Sequence, residues 1–224
     1  MDRDREDEAA WGFVSGGESR IPAALGIFAA LALYLLLPDR LTIGPGWVIP
    51  ALEAAVLVPL VVTNPSHRSR DSRVLRALSI GLIGLLSVAN FTSLGLLIHR
   101  LLHGGKAGGR QLIYSAMAIW VTNVIVFGLW YWELDRGGPL ARTRADHRQP
   151  DFLFPQMTTP AATDRGWVPN FLDYLYVAFT NATAFSPTDA MPLTPAAKAL
   201  MLAQSVASVL VIVVVGARAV NILS

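Results

Sequence analysis

"VPNFLDYLYVAFTNATAFSPTDAMPLTP", residues 168–195, decides how the whole chain is to be read. Asn170 is suited to cap a helix whose third position is Asp173, a carboxylate that also suits the positive N-terminal end. The spacing predicts a helix over 171–184. About 14 residues at 1.5 Å each give roughly 21 Å, short of the 30 Å of bilayer hydrocarbon but enough to reach its centre. The polar run "SPTD" (186–189) follows directly. Non-helical backbone at that depth is tolerated only where protein buries it or where it lines a wet cavity. The expected arrangement is a re-entrant helix whose C-terminal end carries partial negative charge toward that cavity and favours cations.

A bilayer setting follows from composition. Of the 224 residues 53% are hydrophobic and only 15% charged, where a soluble domain carries about 25% charge. Apolar runs predict spans over 21–37, 47–63, 74–98 and 112–132 ahead of the short helix, and over 196–220 behind it. Pro22 suits the first turn of the first span, and Pro38-Asp39 ends it. The second carries Pro50, Glu53 and Pro59, with Glu53 near enough to its start to reach the headgroups. Ser87, Asn90, Thr92 and Ser93 in the third span read as interhelical hydrogen-bonding groups. Trp130, Tyr131 and Trp132, ahead of Glu133 and Asp135, read as an interfacial aromatic cluster at a membrane boundary. A polar, proline-bearing stretch over 133–168 has no sustained periodicity and is expected to lie in water. Thr194 then suits an N-cap, with Pro195 at the first helical position of the last span.

The run "DYLYVAFTNATAFSPTDAMPLTPAAKALMLAQSVASVLVIVVVGARAVNIL" resembles the pore domain of the two-transmembrane-type potassium channels. Against the family pattern T-T-V-G-Y-G-D-x-x-P-x-T the chain has Thr183, Ala184, Phe185, Ser186, Pro187, Thr188, Asp189, then Pro192 and Thr194. The first Thr, the Asp, the Pro and the final Thr fall in register without a gap. The similarity covers about half of the chain, residues 112–223, and leaves out the first three spans. With the apolar runs ahead of it, the resemblance implies an all-α polytopic membrane protein with about five transmembrane helices plus a re-entrant pore helix and a filter-like loop. The implied organisation is an acidic tail (1–20), a three-helix transmembrane region (21–110) and a channel-like pore domain (111–224). Within that domain fall an outer helix (112–132), an extracellular loop (133–168), a pore helix (171–184), a filter-like loop (185–193) and an inner helix (195–220). A homotetramer in the cell membrane is implied, with the lipid bilayer as its surroundings.

The chain departs from the family where the filter glycines would stand. Ser186 and Thr188 replace them, and Pro187 replaces the tyrosine. Glycine permits the backbone conformations that turn successive carbonyls inward, whereas proline fixes φ near −65°. A potassium-type carbonyl ladder is therefore not expected. What remains is a ring of side chains from Thr183, Ser186, Thr188 and Asp189, able to meet monovalent cations less selectively. On the last helix Gln204, Ser205, Ser208 and Ile212 follow helical spacing. That stripe either lines an inner cavity of a tetramer or, through Ala203, Ala207 and Ser208, permits close helix packing.

Alternatives stay open at this point. Phe185 and Pro187 at the constriction would also suit a channel-like structural or regulatory protein that does not conduct. A six-span secondary transporter would use Glu53, Asn90 and Asn123 as midplane groups, but no duplicated pattern of interrupted spans accompanies them. Charge favours six spans: the re-entrant topology leaves only Arg40, Arg100, Lys106, Arg110 and Arg218 of the 18 Lys and Arg inside. No enzyme is expected, since nucleophile elbow, phosphate-cradling loop, zinc motif and facing carboxylate pair are all missing. No cofactor or metal site is implied: there is no cysteine, and His99 and His103, four apart, could share a helix face but sit where a span ends. A net charge of +2 argues against nucleic acid. The acidic start argues against a signal peptide, and no soluble regulatory domain is expected after the last span.

Overall fold

The computed structural model describes residues 19–42, 47, 50–51, 72–103, 109–139, 141–142, 149–159, 167–184 and 190–223. Six helices order them: α1 Ile21–Leu35, α2 Ser72–Leu102, α3 Gly109–Leu134, the one-turn α4 Pro155–Thr158, α5 Phe171–Ala184 and α6 Pro195–Leu223. Two short strands, β1 Phe152–Leu153 and β2 Met191–Pro192, pair antiparallel. Most of the span predicted at 47–63, with Glu53, lies outside the described residues.

The local signals explain where the helices begin. Asn170 Oδ1 accepts from the Leu172 N–H at 2.9 Å and Asp173 Oδ2 accepts from the Asn170 N–H at 2.7 Å. These reciprocal bonds satisfy donors that the first turn would otherwise leave orphaned, so α5 starts at Phe171. Thr194 Oγ1 accepts from the Ala197 N–H at 3.3 Å ahead of Pro195, which needs no N–H partner. Three helical stretches, Arg76–Leu102, Arg110–Gly137 and Pro195–Gly216, are long and apolar enough to cross a membrane. Their outward faces are greasy: Leu202 is 67% exposed, Val213 59% and Tyr114 69%. Apolar surface of this extent suits contact with lipid or with other membrane protein, and the three long helices are compatible with a multi-pass membrane protein.

Helix α3 is the central post. It packs on α1, α2, α5 and α6. Its partners show how the others run beside it. Leu175 of α5 lies against Gly128, while Phe179, one turn later, meets Trp120 with ring centroids 5.9 Å apart. Gln204 of α6 meets Tyr131, while Ser208, one turn later, meets Asn123. Both α5 and α6 thus run antiparallel to α3, starting at the end where α3 finishes. Helix α5 stops about one turn past its bonds to Gln204; α6 continues to Leu223, about 28 Å further than Gln204 at 1.5 Å per residue.

Close approach of α3 and α5 depends on Gly128. A Cβ there would lie 3.1 Å from the backbone Cα of Leu175, which cannot move without shifting α5. Gly128→Ala is expected to cost about 1–3 kcal/mol, with Gly128→Val worse. Thermal unfolding in detergent checks this, and an unchanged midpoint for both variants would remove the close-packing account.

Two expectations change. Tyr131 is 0% exposed and Trp132 5%, so these two rings pack inside the protein instead of projecting toward surrounding lipid. The reason is polar: the Tyr131 hydroxyl reaches Gln204, and Arg142 lies over the Trp132 ring. Nor does the stretch over 133–168 lie wholly in water. Phe152, Phe154 and Met157 are buried, and the ring of Phe152 lies 5.0 Å from that of Tyr131. Two-residue strands are too short to leave a period in the sequence.

Candidate functional site

Two polar assemblies hold α5 in place. The deeper one joins three helices. Gln204 Oε1 accepts from the Tyr131 hydroxyl at 2.6 Å and from Asn181 Nδ2 at 2.8 Å, while its Nε2 donates to the Ala178 carbonyl at 2.7 Å. Asn181 Nδ2 also donates to the Met201 carbonyl at 3.0 Å, and its Oδ1 accepts from Ser205 Oγ at 3.3 Å. Asn123 Nδ2 donates to Ser208 Oγ at 3.1 Å. Gln204 and Ser208 have no exposed surface. In an apolar interior each such group costs several kcal/mol if left unpaired, so the network fixes one relative placement of α3, α5 and α6.

The second assembly closes the end where α3 finishes. Asp135, 0% exposed, accepts from the Tyr174 hydroxyl (Oδ2, 2.6 Å), the Asp151 N–H (Oδ1, 2.7 Å) and Arg136 Nε (Oδ2, 3.3 Å). Asp151 in turn accepts from the Arg136 N–H at 2.9 Å and from the Thr194 hydroxyl at 2.6 Å. Its carbonyl takes the Leu193 N–H at 2.8 Å. Arg142 donates to the carbonyls of Trp132 and Asp135 and lies 5.4 Å from the Tyr174 ring centroid. Gly138, at φ +93°, lets the backbone turn beside Glu133, whose carbonyl would be 3.0 Å from any Cβ there. This clasp ties the first turn of α5, the strand after it and the cap of α6 to one end of α3.

Comparison with family models, curated proteins and solved structures finds no match to this chain. Its chemistry therefore rests on the side chains themselves. The deep network contains amides and hydroxyls, which position and solvate but carry no fixed charge.

Of the residues singled out in the sequence, Phe185, Ser186, Pro187, Thr188 and Asp189 lie outside the described residues. Ala184 closes α5. Thr183 is exposed, and its hydroxyl donates back to the Phe179 carbonyl at 2.9 Å. Gln204, Ser205 and Ser208 come together with Asn181 and Asn123 within the chain, while Ile212, on the next turns of α6, is 48% exposed and takes no part in the network. The structural weight carried by Tyr131, Asn181, Asp135 and Asp151 was not read from the sequence. One signal was available: Asn123, Asn181 and Gln204 are amides set within predominantly apolar stretches of three helices, where such groups favour bonds between helices.

Proposed function

We propose that this chain is the subunit of a homotetrameric pore-loop protein of the cell membrane. It passes monovalent cations through a filter of hydroxyl and carboxylate side chains, without potassium-type carbonyl selectivity. The observation that carries the proposal is the pair of anchors on α5 and α6. Tyr174 is bonded to Asp135, and Leu193 to Asp151, so the chain enters α5 and leaves toward α6 at one end of α3. From its start beside the first anchor, the 14-residue α5 extends about 21 Å. A helix of that length, entered and left on one side, supports a re-entrant loop over a crossing.

The flanks support the remaining crossings. Tyr34 near the end of α1 packs in one cluster with Leu97, Leu112 and Val214, far from the clasp, whereas Arg76 near the start of α2 lies 3.8 Å from Glu133 beside it. The described residues on either side of 43–71 thus lie toward opposite ends of the bundle, which supports the second span proposed at 47–63. Together these positions support five crossings and one re-entrant loop. Hydroxyls and Asp189 then fall in a polar stretch just beyond the negative end of α5.

The test has two arms. Gln149→Cys and Ser224→Cys should label from opposite sides with an impermeant thiol reagent, a clean readout because the chain has no other cysteine. Purified protein in liposomes should pass monovalent cations, and Asp189→Asn should reduce cation over anion preference severalfold. Labelling from the same side would replace this reading with six full spans and a transporter. Tetramers that pass no ion at any voltage or pH would favour a non-conducting structural role.

A further inference from the structure

Two buried polar atoms near the inner end of α5 have no hydrogen-bond partner among the described residues: Asn123 Oδ1 and Trp120 Nε1. Asn123 is only 1% exposed. Its amide is oriented by Ser208 Oγ and the Gln204 carbonyl, both acceptors facing Nδ2 at 3.1 and 3.5 Å. Flipping the amide would set Oδ1 against the Gln204 carbonyl, so the oxygen is the end left over. Trp120 stands three residues earlier on α3, which places the two Cβ atoms about 5–6 Å apart on neighbouring turns. Its ring meets Phe179 of α5 edge to face, and Asn123 meets α6, so both lie where these helices converge on α3.

We propose that Trp120 and Asn123 hold one buried water at this junction. The two groups have opposite sense. The indole N–H donates and the amide oxygen accepts, so a single water takes the first bond and gives the second. These two bonds already fall within the range of two to four that a buried water makes. A metal cation fits worse, because the indole N–H presents positive charge to it. A lipid chain satisfies neither atom. The site needs only the packing of α3, α5 and α6 and stands whether or not the protein conducts.

Water-edited solid-state NMR on protein labelled with 15N in the indole nitrogens, in bilayers, tests it directly. Trp120 is assigned as the signal missing from Trp120→Phe. The wild-type Trp120 indole should receive magnetisation from a long-lived water, and Asn123→Leu should cut that transfer to the level of the driest indole. Asn123→Thr, which keeps an acceptor in a smaller side chain, should retain part of it and serves if the leucine variant folds poorly. Absence of transfer in the wild type would overturn the proposal. So would transfer unchanged in Asn123→Leu, or transfer lost in Ser186→Ala/Thr188→Val, which would assign the partner to a loop hydroxyl.

Discussion

Asp135→Ala is expected to lower stability by about 3–5 kcal/mol, the range for removing one partner of a buried charged pair. The carboxylate is fully enclosed and takes bonds from the Tyr174 hydroxyl, from the N–H groups of Asp151 and Phe152, and from Arg136. Alanine would leave these donors facing an apolar methyl, and Arg136, 7% exposed, would keep its charge without this counterion. Asp135→Asn separates the contributions. Its carbonyl oxygen can still accept from the Asp151 N–H, but its NH2 group would face Tyr174 or Arg136, so a loss of about 2 kcal/mol is expected. Unfolding monitored in detergent gives both numbers. Protease sensitivity around 149–159 adds a local readout, because loss of the clasp frees β1 before the helices melt. Equal midpoints for wild type and Asp135→Ala would mean that the clasp contributes nothing to stability.

How far the sequence discloses this arrangement depends on the range of each interaction. The bounds of α5 follow from Asn170 and Asp173, three residues apart, and the start of α6 from Thr194 and Pro195, which are adjacent. Capping is local chemistry, so a short window contains all of it. The clasp is the opposite case: Asp151 meets Thr194 across 43 residues and Asp135 meets Tyr174 across 39. No pattern in either neighbourhood encodes the partner. The stripe of Gln204, Ser205 and Ser208 is intermediate. Helical spacing places these residues on one side of α6, but a stripe facing a wet cavity and one facing neighbouring helices have the same period. What distinguishes them is the complementary amide of Asn181 and the hydroxyl of Tyr131, which lie on other helices. Glu133 and Asp135 after the aromatic run similarly look like headgroup-level charges until Arg76 and Arg136 are seen beside them.

Gln204→Leu is the second change with a large expected effect, and it separates positioning of α5 from mere packing. Leucine nearly matches the volume of glutamine but loses the acceptor for Tyr131 and Asn181 and the donor to the Ala178 carbonyl. Interhelical bonds in membranes average about 0.6 kcal/mol and reach about 1.7. Three such bonds, with the Tyr131 hydroxyl left in a fully buried place, give an expected loss of about 2–4 kcal/mol. Gln204→Glu keeps an acceptor for Tyr131 and Asn181 and, protonated, a donor toward Ala178, so it should lose less than half as much. Asn181→Leu alone also removes the bond to the Met201 carbonyl. Combined with Gln204→Leu it should cost less than the two separate losses added, because both remove the same amide pair. Strict additivity would mean that the 2.8 Å contact carries no energy. If the protein conducts as proposed, Gln204→Leu should also blunt ion preference while leaving Asp189 in place. The α5 end that aims at the polar stretch is held to α6 through two of this side chain's bonds, to Asn181 and Ala178, backed by Asn181 on Met201 and Ser205. A variant that loses stability yet keeps full preference would show that the network only holds the helices together and does not set the position of the loop.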